Sequence, residues 1–137
     1  MSAEFFDTNI ILYLLSDGPK ADIAERLLAR GGTISVQVLN EALVNCRRKA
    51  GMSWDEAGAF LGAIRGLCDV LPLTEDTHDI GRALSERYGF SVYDGMIVGA
   101  ALSSGCTLLW SEDMHNGLLV EGRLRIRNPF ADAQPPT

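Results

Sequence analysis

Glu4-Phe5-Phe6-Asp7-Thr8-Asn9-Ile10-Ile11-Leu12 decides how the rest of this chain is read. A short apolar run ends on an acid, two small polar residues follow, and apolar residues then recur at helical spacing. Strand, carboxylate, helix is the order in which open α/β sheets place their chemistry, at the carboxyl ends of the strands. The run predicts a strand over 3–6 and a helix over 9–16, which Asp17-Gly18-Pro19 ends.

The same alternation continues outward. Helices are predicted over 20–30 and 37–49; Arg47-Arg48-Lys49 in the last turn of the second suits the negative end of the helix dipole. Ser53-Trp54-Asp55-Glu56 has the spacing of a capping box and opens a helix to about 67. Thr74 caps another that Gly89 stops, with Ile80, Ala83 and Leu84 inward. The stretch 92–103 is apolar nearly all round and should be the most buried helix. Strands are expected over 33–35, 69–73 and 107–110. Arg123-Leu124-Arg125-Ile126-Arg127 alternates strictly, as a half-exposed strand at a charge-protected sheet edge would. Strands alternating with helices imply an α/β fold with a mainly parallel sheet and helices on both faces.

The 137 residues fit a single domain over 1–130, with 131–137, which hold two prolines, as a flexible tail. No apolar run approaches a membrane span, and the N-terminal residues lack the basic region of a secretory signal. Three dispersed cysteines, Cys46, Cys68 and Cys106, form no metal or redox motif; they read as buried thiols in a reducing compartment, hence the cytoplasm. A net charge of −6 argues against binding through a generally basic surface. It does not exclude a nucleic-acid enzyme whose acids are neutralised by metal.

Four acids carry the functional reading. Asp7 and Asp113 follow strands, Asp94 lies in the first turn of a helix, and Glu41 lies about one turn into another. In a parallel sheet all four fall at the carboxyl end. Taken singly, each has a plain structural role as cap, turn or solvated residue. Taken together they would repel one another without a cation, and oxygen donors of this kind suit Mg²⁺ or Mn²⁺. His78 and His115 have no pairing that suggests zinc. Phosphodiester hydrolysis is the reaction such a site most readily supports, with Thr8, Asn9 and Ser111 placed to orient ligands or water.

At this point the chain resembles a known family. Phe6-Asp7-Thr8-Asn9, Val38-Leu39-Asn40-Glu41, Val92-Tyr93-Asp94-Gly95-Met96 and Leu109-Trp110-Ser111-Glu112-Asp113-Met114 are similar, in order and spacing, to PIN-domain proteins and specifically to VapC-type toxins of bacterial toxin–antitoxin pairs. The resemblance spans about residues 3–127. It implies a PIN-like three-layer α/β/α sandwich and a Mg²⁺- or Mn²⁺-dependent endoribonuclease. Asp7, Glu41, Asp94 and Asp113 would be its catalytic and metal-binding quartet, with Ser111 and Asn9 in support. It also implies a cognate antitoxin, a homodimer and larger toxin–antitoxin assemblies. Gly95 stands where the family more often has alanine, which should slightly weaken the helix start.

Other readings are weaker. A haloacid-dehalogenase phosphatase needs a second acid where Asn9 stands, and a receiver domain needs a phosphoacceptor where Pro72-Leu73-Thr74 stands. The alternative from another class is a PIN-fold module that binds RNA or protein without cleaving. Arg47, Arg48, Lys49, Arg82, Arg87, Arg123, Arg125 and Arg127 are candidate RNA contacts. Ile23, Leu27, Trp54 and Phe60, on the second and fourth helices, are candidates for an antitoxin groove.

Overall fold

The computed structural model describes residues 3–131. In chain order the elements are β1 (Glu4–Phe6), α1 (Thr8–Leu12) with a 3-10 turn (Tyr13–Leu15), α2 (Pro19–Ala29), β2 (Gly32–Ser35), α3 (Val36–Arg48), α4 (Trp54–Leu67), β3 (Cys68–Leu71), α5 (Glu75–Tyr88), α6 (Val92–Ser103), β4 (Leu108–Trp110), β5 (Leu119–Val120) and β6 (Leu124–Arg127).

The sheet order is β3-β2-β1-β4-β6-β5. Every pairing is parallel except β5 with β6. Successive residues of a strand point to opposite faces, so burying both Phe5 and Phe6 at 0% exposure requires cover on both sides of β1. The helices supply it, giving the expected α/β architecture. The chain grows from β1 outward through β2 and β3, then returns to the other side of β1 as β4. The crevice between the carboxyl ends of β1 and β4 is therefore a topological switch point, where open α/β sheets hold ligands.

Local signals explain most boundaries. Ser53 and Glu56 form the capping box reciprocally, at 3.0 and 2.9 Å. Gly89 closes α5 in the left-handed conformation, φ 76°. Residues 95–102 of α6 are all buried. The first helix is shorter than its pattern predicts: it tightens into the 3-10 turn at Tyr13, and the Ser16 hydroxyl donates to the Tyr13 carbonyl at 2.9 Å.

Three expectations are corrected. The Arg-rich strand is not the edge: β6 lies between β4 and β5, and two-residue β5 was too short to show alternation. Ala83 faces solvent, while Leu84 and Ile80 pack inward. Gly95 is no mere loss of helix propensity. A β-carbon there would come within 2.6 Å of the Gly81 carbonyl oxygen and would collide with the Ser85 hydroxyl, so glycine is what lets α5 and α6 approach. Phe130, fully buried, packs edge-on to Tyr13 with ring centroids 4.7 Å apart. Of the expected tail, 132–137 lie outside the described residues.

Candidate active site

Asp7 is the residue β1 delivers to the switch point. Phe5 pairs with Thr33 and Phe6 with Trp110, so Asp7, one residue past the strand, shares its row with Ser35 of β2 and Ser111 beyond β4. Its backbone N–H donates to the Trp110 carbonyl at 3.0 Å, which fixes the row. Only 4% of Asp7 is exposed. Its Oδ1 accepts from the Thr8 N–H at 2.7 Å. Its Oδ2 accepts from the Ser111 hydroxyl at 2.6 Å and, more weakly, from Asn9 Nδ2 at 3.4 Å. Burial pushes the carboxyl from its ordinary 3.8 up to about 7, against the pull of the Ser111 and Thr8 hydrogen bonds, and the charges of Asp94 and Glu41 push the same way.

The other acids arrive from separate elements. Glu41 lies on α3, which starts directly after Ser35; its Oε2 accepts from Gln37 Nε2 at 2.9 Å, one helical turn earlier. Burial raises its pKa, the Gln37 bond opposes this, and the Asp94 charge adds to it. Asp94 lies in the first turn of α6, whose cap is Ser91: the Ser91 hydroxyl accepts from the Asp94 N–H at 3.1 Å. Burial raises Asp94 as well, with Ser91 opposing and the Asp113 charge adding. Asp113 is exposed on the turn after β4. The electrostatic coupling thus runs from Asp113 to Asp94 and from Asp94 to both Glu41 and Asp7. Asp7, Glu41 and Asp94, from segments far apart in sequence, are brought close together, with Asp113 near Asp94.

The supporting residues divide. Ser111, fully buried, accepts from the Met114 N–H at 3.2 Å while donating to Asp7. Asn9 bridges Asp7 to the Glu112 N–H, which its Oδ1 accepts at 3.3 Å. Thr8 is buried, and its hydroxyl makes no hydrogen bond among the described residues; the buried Ser35 hydroxyl is in the same condition. Neither Gln37 nor Ser35 was singled out by sequence reasoning. Gln37 four residues before Glu41 was the available signal; Ser35 became meaningful only through the register that sets it beside Asp7.

The resemblance implies a divalent cation here, and the residues fit one. All donors are oxygens, the hard-ligand set of Mg²⁺ and Mn²⁺. The buried hydroxyls of Thr8, next to Asp7 in sequence, and of Ser35, in its row, make no hydrogen bond among the described residues. Among the described residues no three acidic, imidazole or thiol groups form a ready-made metal cage. Mg²⁺ does not need one, because it keeps several waters and takes one or two carboxylates together with substrate phosphates.

Other candidates settle differently. The three cysteines are buried, and among the described residues they form no disulfide. Arg47 stacks on Trp54, 4.3 Å from the ring centroid, and donates to the Met52 carbonyl. Arg87 pairs with Glu121, and Arg125 donates to the Gly117 carbonyl at 2.7 Å. Trp54 is 66% exposed and lines a groove with Leu39, Leu43 and Leu61, between α3 and α4. Leu27 is in the core, with Ile23 and Phe60 packed against it. Among the described residues no helix is long and apolar enough to cross a membrane.

Comparison with known proteins finds the same fold among solved structures. A toxin–antitoxin complex from Klebsiella pneumoniae superposes with a TM-score of 0.70 at 18% identity, covering 92% of this chain and 97% of its own. VapC20 of Mycobacterium tuberculosis, described as a toxin that cleaves the sarcin–ricin loop, gives 0.66 at 23%, covering 80% and 89%. VapBC2 of Rickettsia felis, solved on a DNA fragment from its promoter, gives 0.66 at 16%, covering 91% and 97%. At these identities the likeness is one of fold. No curated protein sequence matches the chain. The sequence model of the PIN domain matches residues 5–115, well over half of the chain, and on that ground the protein belongs to the PIN domain family.

Proposed function

We propose that the protein is a divalent-metal-dependent endoribonuclease, the toxin of a toxin–antitoxin pair, acting in the cytoplasm. Asp7, Glu41, Asp94 and Asp113 are its catalytic and metal-binding acids. What supports the reading is the approach of Asp7, Glu41 and Asp94 at the switch point, where like charge opposes ionisation and burial pushes Asp7 up to about 7, with the Asp113 charge acting on Asp94. A carboxyl so displaced is a group that a cation would ionise. Mg²⁺ or Mn²⁺ bound by these acids would polarise the phosphodiester and favour water as nucleophile.

The chain's own residues prepare that chemistry. Ser111 and the Thr8 N–H hold the two oxygens of Asp7 in fixed directions, so its charge enters the crevice without reorganisation. Gln37 holds Glu41 against α3 and limits its rotamers. Asp113, exposed at the rim, is the acid a phosphate backbone would meet first. The Thr8 and Ser35 hydroxyls, beside Asp7 in sequence and in register, are buried with their hydrogen-bonding capacity unused among the described residues. A negatively charged protein that cuts RNA is expected to recognise a loop or single strand by shape, since few cations are available for broad backbone contact. The partners proposed are an RNA substrate, a cognate antitoxin and a second copy of the chain. The likeness of fold to complexes of toxin with antitoxin supports the second.

The test is incubation of antitoxin-free protein with a cellular RNA pool, with Mg²⁺ or Mn²⁺, with chelator, and as Asp94→Asn. Discrete fragments that need metal and vanish in the variant are expected. Intact RNA under every condition, from folded protein that binds metal, would instead favour a PIN module that binds without cutting.

A further inference from the structure

Glu112, next to Asp113, is neither a solvated turn residue nor a fifth site acid. Its Oε1 accepts from the Tyr13 hydroxyl at 2.7 Å, and its Oε2 pairs with the Lys20 ammonium at 2.7 Å. Lys20 Nζ is 3.5 Å from the Tyr13 hydroxyl, and lies 5.6 Å from the Tyr13 ring centroid and 5.8 Å from that of Phe130. The backbone N–H of Glu112 donates to Asn9 Oδ1, and the Asn9 amide in turn donates to Asp7. On the other side, Ser111 caps the turn at Met114. The turn that carries Asp113 is therefore tied to α1, to the 3-10 turn and to α2. Asp113 itself lines a cleft of about 250 Å³ with Asn9, Leu12, Tyr13, Ser16 and Glu112.

We infer that Tyr13, Lys20 and Glu112 form a clamp that positions Asp113 for the cation and keeps the Glu112 charge out of the acid cluster. The inference rests on the cation proposed above. Two physical effects make up the clamp. The first is geometric: a turn of four residues has few internal restraints, and the Glu112 anchors remove the rotation that would swing Asp113 away. The second is electrostatic: an unpaired Glu112 carboxylate would add a fifth like charge beside acids that already raise one another, and the Lys20 ammonium cancels it. These three are positioning residues, acting through Asp113. Such contacts behind a ligand commonly hold about 10- to 100-fold in metal affinity.

The test is a calorimetric titration of the full chain with MnCl₂, for wild type, Lys20→Met, Lys20→Arg, Tyr13→Phe and Glu112→Gln. The Mn²⁺ dependence of RNA cleavage is measured alongside. The Lys20–Glu112 pair is partly exposed, at 31% and 22%, so its loss should cost little stability. Lys20→Met should weaken Mn²⁺ binding about tenfold, and Lys20→Arg should restore most of it. Half-saturation by Mn²⁺ should rise by the same factor, with kcat at saturating metal nearly unchanged. If Lys20→Met does not fold, Tyr13→Phe, which removes one hydroxyl, carries the test. Wild-type Mn²⁺ affinity in both folded variants would overturn the clamp. Clamp-dependent Mn²⁺ binding without RNA cleavage would uphold it and defeat the ribonuclease reading. A wild type that binds no divalent metal would defeat both.

Discussion

Asp7→Asn should make the metal-free protein more stable at neutral and alkaline pH, although it should abolish activity. Folding raises the Asp7 carboxyl from 3.8 to about 7, so the folded state holds a proton that the unfolded chain has released between those values. Stability from this group is whole below about pH 4 and is lost as pH rises to about 7, at up to about 1.4 kcal/mol per pH unit. A displacement of roughly three pH units gives an upper limit of about 4 kcal/mol at pH 8. Asparagine removes the charge and keeps the geometry: its carbonyl oxygen can still accept from the Thr8 N–H, and its amide can donate to the Ser111 hydroxyl. Allowing for imperfect replacement of these bonds, the variant should gain about 2–3 kcal/mol, or roughly 5–10 °C in Tm. The assay is thermal unfolding with chelator from pH 4 to pH 8.5, for wild type and variant. The wild-type curve should fall through this window and the variant's should be flatter. Mn²⁺ should raise the wild-type Tm at pH 8 and leave the variant's nearly unchanged. A variant less stable than wild type at pH 8 in chelator, with the same pH slope, would refute the reasoning, because Asp7 would then not be a carboxylate held against its charge.

Other residues make independent predictions. Ser111→Ala removes the hydroxyl donor to Asp7, a bond to a charged group worth about 1.5–3 kcal/mol, so carboxyl-detected NMR of metal-free protein should show Asp7 titrating about one pH unit higher. Gly95→Ala forces a β-carbon against the Gly81 carbonyl and should cost about 1–3 kcal/mol in denaturant unfolding, despite alanine's better helix propensity. Gln37→Leu frees Glu41 from its 2.9 Å partner and should lower kcat severalfold while leaving the melting temperature within about 2 °C of wild type.

The acids of the candidate site could be picked out in the sequence because three of them have a local signature. Asp7 ends an apolar run, Asp94 follows a capping serine, and Asp113 closes a strand and turn. Sheet logic alone sends these three, and Glu41 about one turn into its helix, to one end. What was hidden depends on register or on long-range pairing. Ser35 gains its place beside Asp7 from strand alignment, and Glu112 meets Lys20 across 92 positions of sequence. Gly95 is set by the approach of two helices, so propensity reasoning assigned the wrong sign to alanine there. The Arg-rich strand was misplaced for a related reason: alternation reports that a strand has two unlike faces, and says nothing of what lies along its edges.

The most direct test of the account is RNA cleavage by folded, antitoxin-free protein in Mn²⁺ with each acid changed in turn: Asp7→Asn, Glu41→Gln, Asp94→Asn and Asp113→Asn, with circular dichroism as the control for folding. If the four act as one site, every variant should lose about a hundredfold or more in rate, and the chelator should silence the wild type. A variant that keeps the full rate, or wild-type cleavage that survives the chelator, would contradict the claim that these four acids and a divalent cation form the catalytic centre.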